Sequence, residues 1–102
     1  ISLEKFAAIT ATNHARLYGL ASKGAIMVGM DADIVLWDPQ ATRTIRQDDL
    51  HHGADYTPWE GFAVTGWPVR TLLRGRTVMA DGQVLGAPVG GHVARGAPEV
   101  LL

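Results

Sequence analysis

The sequence contains no cysteine, so disulfide staples and thiolate metal sites are both excluded. That accords with a reducing, cytoplasmic setting. Charge of either sign is not in excess: nine Lys and Arg face ten Asp and Glu, for a net charge of −1. The basic residues are scattered, and nothing is built to neutralise a phosphate backbone, so nucleic acid is not an expected partner. Long apolar runs are missing too. None approaches the roughly 20 residues a membrane-spanning helix needs, and no signal peptide is visible, so no membrane partner is expected. There are only two lysines, Lys5 and Lys23, and no His-x-His pair. Methionine is absent from the first position. The chain opens with Ile1, which suits an excised or truncated piece.

What remains is a chain of 102 residues, 47% apolar and 19% charged, which is globular rather than disordered composition. A chain this short buries only about two-thirds of the surface it exposes when unfolded, so its core must be thin. The first twenty residues read as helix. Ser2 is a suitable N-cap, and Glu4 lies in the first turn, where the helix dipole favours negative charge. Leu3, Phe6 and Ile9 fall at helical spacing, as do Ala7, Ala11 and Ala15. A second cap signal at Thr12-Asn13 and a terminating glycine at Gly19 predict a longer helix over about 2–11 and a short one over about 13–18.

From Gly24 the pattern turns to strands. Ile34-Val35-Leu36-Trp37 is an uninterrupted apolar run closed by Asp38-Pro39, and such a run predicts a strand covered on both faces. A shorter strand over Thr42 to Arg46 is expected. Val69 to Leu73 and Thr77 to Ala80 flank a tight hairpin at Arg74-Gly75-Arg76, and Asp81-Gly82 marks a further turn before Val84-Leu85. Residues 47–68 read as one long loop holding Trp59 and Trp67 with His51, His52, Asp55, Tyr56 and Glu60. A loop of that length in so small a unit is unusual and implies that it covers something or meets a partner. Tyr56, Trp59, Glu60 and Trp67 are the candidate interface or structural residues. From Gly86 onward, glycine, alanine and proline dominate, predicting a tail ordered only when docked.

Other candidates reduce to structure. Adjacent His51 and His52 in an extended segment point to opposite sides, and with Asp55 they match no familiar zinc spacing. Asp31 and Asp33 lack the glycine and terminal glutamate of a calcium loop, so a turn and a strand start are expected of them. Arg70, Arg74 and Arg76 read as exposed strand and turn charges. One helical hairpin and four or five short strands leave unpaired edges, so the chain reads as part of something larger.

Three stretches resemble the amidohydrolase superfamily: Thr12-Asn13-His14-Ala15-Arg16-Leu17-Tyr18-Gly19 with Lys23-Gly24-Ala25-Ile26; Val28 through Pro39; and His51-His52, Asp55 through Gly61 and Val64 through Val69. The third resembles the hydantoinase and dihydropyrimidinase branch in particular. His14 departs from a proline common at that position in the family. The resemblance implies an α+β piece. Residues 1–22 would be the terminal helices of a (β/α)8 barrel, and 23–85, with the loop at 47–68, part of a composite, mostly antiparallel β-sandwich. Residues 86–102 would form a carboxyl-terminal tail.

The resemblance also implies an enzyme that hydrolyses the amide bond of hydantoin or dihydropyrimidine rings with two divalent metal ions, usually zinc, held by residues upstream. This chain would then supply no catalytic, metal-binding or substrate-binding residue. Its partners would be the amino-terminal barrel and sandwich portion, in a homo-oligomer. Two other readings stay open: a non-catalytic relative that serves as a binding or assembly protein, and a free-standing β-rich interaction module.

Overall fold

The computed structural model describes residues 1–99. It contains one interrupted helix and a small four-stranded sheet. The helix runs as α1 (Leu3–Ala7), a π-helical turn (Ala8–Thr12) and α2 (Asn13–Leu17). Ser2 caps its start as expected, with its Oγ accepting the Lys5 N–H at 3.2 Å. Two separate helices were predicted, and the structure has one continuous run over 3–17. Thr12, read as a cap, is itself helical at φ −61 and ψ −47. Its hydroxyl donates instead to Gly24 O at 2.6 Å, and the Asn13 N–H reaches back five residues to Ala8 O. A threonine side chain with a better acceptor elsewhere does not end a helix. One turn widens instead.

The termination at Gly19 follows the sequence reading. Gly19 adopts φ +68, its N–H donates to Arg16 O at 3.1 Å, and Leu20 N–H donates to Ala15 O at 2.7 Å. This pair of bonds is the Schellman closure, which satisfies carbonyls the helix itself leaves open.

The strands are β1 (Ile34–Thr44), β2 (Ala63–Leu73), β3 (Arg76–Ala80) and β4 (Gln83–Val84), in the order β1-β2-β3-β4. β3 and β4 are antiparallel, with Met79 opposite Val84 and Ala80 opposite Gln83. Both tight turns are two-residue hairpin loops with positive φ at each central residue: Arg74 at 48° and Gly75 at 79°, Asp81 at 49° and Gly82 at 77°. These are type I′ turns, whose twist matches that of the flanking strands.

Two expectations fail here. β1 does not stop at Asp38-Pro39 but continues unbroken to Thr44, because β1 is an edge strand, where a proline's missing N–H need not cost a ladder bond. The loop expected over 47–68 is shorter at both ends. Gln47–Asp49 forms a 3-10 turn, and Gly66, Trp67 and Pro68 lie inside β2. Pairing starts early because Ile45 N–H donates to Phe62 O at 2.8 Å and Ile45 O accepts the Gly61 N–H at 2.9 Å. The cover expected on both faces of β1 is not supplied by this chain. Val35 and Leu36 remain nearly half exposed within this chain.

The contacts fall into two units. One comprises Ile1–Ile34, Leu73–Gly75 and the segment from Ala87 onward; the other comprises Val35–Leu72 and Arg76–Gly86. Among the described residues Ala15 alone is buried, and no side chain is fully enclosed. Leu3, Ile26 and Val28 are at least four-fifths exposed. No described helix is long and apolar enough to cross a membrane.

Candidate functional site

The densest polar arrangement is centred on Lys23, just beyond the helix. Its ammonium pairs with Asp31 Oδ2 at 2.9 Å and with Asp33 Oδ2 at 2.5 Å. Ser22 Oγ donates to Asp31 Oδ2 at 2.9 Å, and Asp31 N–H donates to Ser22 O at 2.9 Å, which closes the passage over residues 22–31. Asp33 Oδ1 accepts the Arg74 backbone N–H at 2.8 Å, and Ala32 O accepts the Gly75 N–H at 2.9 Å. Asp31 and Asp33 thus do the turn and strand-start work expected of them, over a wider span than a local turn.

The charges support one another. The Asp33 and then the Asp31 carboxylate, bonded to the Lys23 ammonium, raise its pKa. Lys23 above all, then the Ser22 hydroxyl, hold Asp31 low, and Lys23 followed by the Arg74 N–H holds Asp33 low. A lysine held charged in this way is no base at neutral pH, so the cluster is a brace and not a proton-transfer site. In the sequence nothing local marks Lys23, and Arg74 reads as an exposed turn charge. The only signal available was an Asp-x-Asp pair eight residues beyond a lysine, which does not name its partners.

The second candidate is the stretch over 50–62. Glu60 accepts the Gln47 N–H at 2.6 Å and so caps the 3-10 turn, while Gln47 Nε2 donates to Ala54 O at 2.8 Å. His52 Nδ1 accepts the Ala54 N–H at 3.2 Å, a backbone use of the kind expected for these histidines. Trp59 meets Phe62 edge-on, with ring centroids 5.7 Å apart at 89°. Tyr56 and Trp59 are exposed, and Trp67 is half-buried on β2, outside the loop in which it was expected. Leu50, His52, Tyr56, Thr57, Pro58 and Trp59 line a shallow pocket of about 370 Å³. The structure therefore brings Tyr56 and Trp59 to one pocket and gives Glu60 a structural bond.

Metal ligation is not what either arrangement fits. Among the described residues no three His, Asp or Glu side chains converge as a metal centre requires. The Asp31–Asp33 pair is already occupied by an ammonium.

Residues 1–78 match the family model described as the Amidohydrolase family. A D-hydantoinase from Rhizobium radiobacter is 44% identical over 93 residues, covering 90% of this chain and 20% of that protein. A dihydroorotase from Methanothermobacter thermautotrophicus is 49% identical over 85 residues, covering 83% of this chain and 20% of its own length. A solved D-hydantoinase structure superposes with a TM-score of 0.84 at 44% identity, over 90% of this chain and 20% of that one. The chain thus spans about a fifth of the length of the relatives it matches. By sequence over three-quarters of its length and by backbone over nine-tenths, this chain belongs to the amidohydrolase family.

Proposed function

We propose that this chain is the carboxyl-terminal structural part of a cyclic-amide hydrolase of the hydantoinase and dihydropyrimidinase type, with the residues that open the ring lying outside it. One observation carries the reading. The chain matches D-hydantoinases over nine-tenths of its own length but only a fifth of theirs, and large apolar side chains such as Leu3, Ile26, Val28, Val35 and Leu36 stand exposed on it.

In this reading residues 1–22 brace the end of a (β/α)8 barrel, 23–85 complete a composite β-sandwich, and 86–102 form a tail. Tyr56, Trp59 and Trp67, with Glu60 holding the loop, meet the remainder of the protein or a second copy in a cytoplasmic homo-oligomer. Two divalent metal ions, with zinc the usual ion, would when bound polarise the ring carbonyl and activate water. In this reading their ligands lie in the part outside this chain.

A chimera tests the proposal. In the D-hydantoinase of Rhizobium radiobacter, the matching fifth is replaced by this chain, and release of the N-carbamoyl product from hydantoin is followed. Retained hydrolysis by the chimera, with none by this chain alone in the presence of zinc, is the expected result. A folded, metal-loaded chimera that opens no ring would sink the reading.

A further inference from the structure

The segment from Ala87 onward forms neither helix nor strand among the described residues, yet it is held in three places. Arg74 Nη2 donates to Val89 O at 2.6 Å. Gly96 N–H donates to Gly19 O at 2.7 Å, and Glu99 N–H donates to Arg16 O at 3.0 Å. The Glu99 carboxylate also pairs with the Arg16 guanidinium at 2.5 Å. All of these contacts are polar. Over 87–99 only Val89 is even partly buried.

We propose that residues 87–99 are a detachable strap, closed over the carboxyl-terminal end of the helix by polar clasps, that opens as a unit while the helix stays folded. Segments that bury little apolar surface and rely on exposed hydrogen bonds open at far lower cost than packed ones. The helix does not need the strap in return, since the Gly19 and Leu20 N–H groups already complete its end on Arg16 O and Ala15 O.

The seat is specific, however. A Cβ at Gly19 would stand 2.4 Å from Gly96 O, so only a glycine lets the strap lie this close. Beneath the strap lies a pocket of about 340 Å³ lined by Ala15, Arg16, Leu20, Met30, Ala97 and Glu99. Opening the strap releases the half-exposed Arg16 guanidinium from Glu99 and removes one wall of that pocket.

Native-state hydrogen exchange on the full chain, read at single amides, tests the strap. The Gly96 and Glu99 amides are expected to exchange at least roughly tenfold faster than Tyr18 and Leu20, as a locally opening segment does. Glu99→Gln should speed Gly96 a further two- to fivefold, roughly the scale of an exposed ion pair, and leave Leu20 unchanged. Equal protection of Gly96 and Leu20 overturns the proposal, because the strap then opens only with the helix. Unprotected Tyr18 and Leu20 overturn it too, since the strap then has no folded seat, and so does a Gly96 rate indifferent to Glu99→Gln.

Discussion

Asp33 Oδ1 lies 2.8 Å from the backbone nitrogen of Arg74, a residue forty-one positions later in the chain. Arg74 holds φ 48 at the first central position of a type I′ turn, where asparagine, aspartate or glycine is the ordinary choice. The left-handed backbone of a long side chain is strained, roughly on the scale of 1 kcal/mol. Asp33 fixes the amide of that residue while its other oxygen holds Lys23, and the Arg74 guanidinium reaches Val89. A single carboxylate thereby sets the geometry of an otherwise unfavourable turn.

Replacing that carboxylate in two ways separates its roles. Asp33→Asn keeps an oxygen for the Arg74 N–H but loses the charge that holds Lys23; Asp33→Ala loses both. The alanine variant is expected to cost about 1–2 kcal/mol and the asparagine variant less than half of that, given the partial exposure of the pair. Exchange of the Arg74 amide is the readout. Equal effects of the two substitutions would show that the hydrogen bond to Arg74 contributes nothing separable.

The same cluster predicts how stability follows pH, and the signs differ for its members. Asp31 and Asp33 are held low, so their contribution is present above the ordinary aspartate value of about 4 and is lost as pH falls through their lower folded values. Lys23 is held high, so its contribution is present below the ordinary lysine value of about 10.4 and is lost as pH rises through its higher folded value. A plateau over the neutral range with losses at both extremes is expected in unfolding measured against pH. Lys23→Met should remove the alkaline loss and weaken the acid one. An alkaline limb that survives Lys23→Met would refute the assignment.

β1 offers an edge with apolar residues on it, the arrangement most prone to pair with another chain. Val35→Lys places a charge on that strand and is expected to shift the isolated chain toward monomer in sedimentation velocity at micromolar concentration. An unchanged mass distribution would mean that the edge does not drive association.

How much of this was legible in the sequence varies by element, for physical reasons. The Ser2 cap, the Gly19 stop and the turns at Arg74-Gly75 and Asp81-Gly82 are local, set by the backbone freedom of a few adjacent residues, and they read correctly. The break at Thr12-Asn13 misread because its outcome depended on Gly24 O, an acceptor twelve residues away. Pro39 misread because the tolerance of a strand for proline depends on its place in the sheet, which no window of sequence contains. Among the candidate residues, His52 and Glu60 take structural bonds, whereas Lys23, Arg74 and Glu99 gain roles only through partners 8 to 83 residues away.

That Ala15 alone among the described residues is buried bears on calorimetry. The heat-capacity step of unfolding tracks apolar area newly wetted, roughly 12–15 cal/mol/K per residue for an ordinary domain. Most of the oily side chains here are wet already, so melting this chain alone would give a step well short of that figure. Joined to a larger molecule that covers Leu3, Val28 and Leu36, the same residues would each contribute their full share.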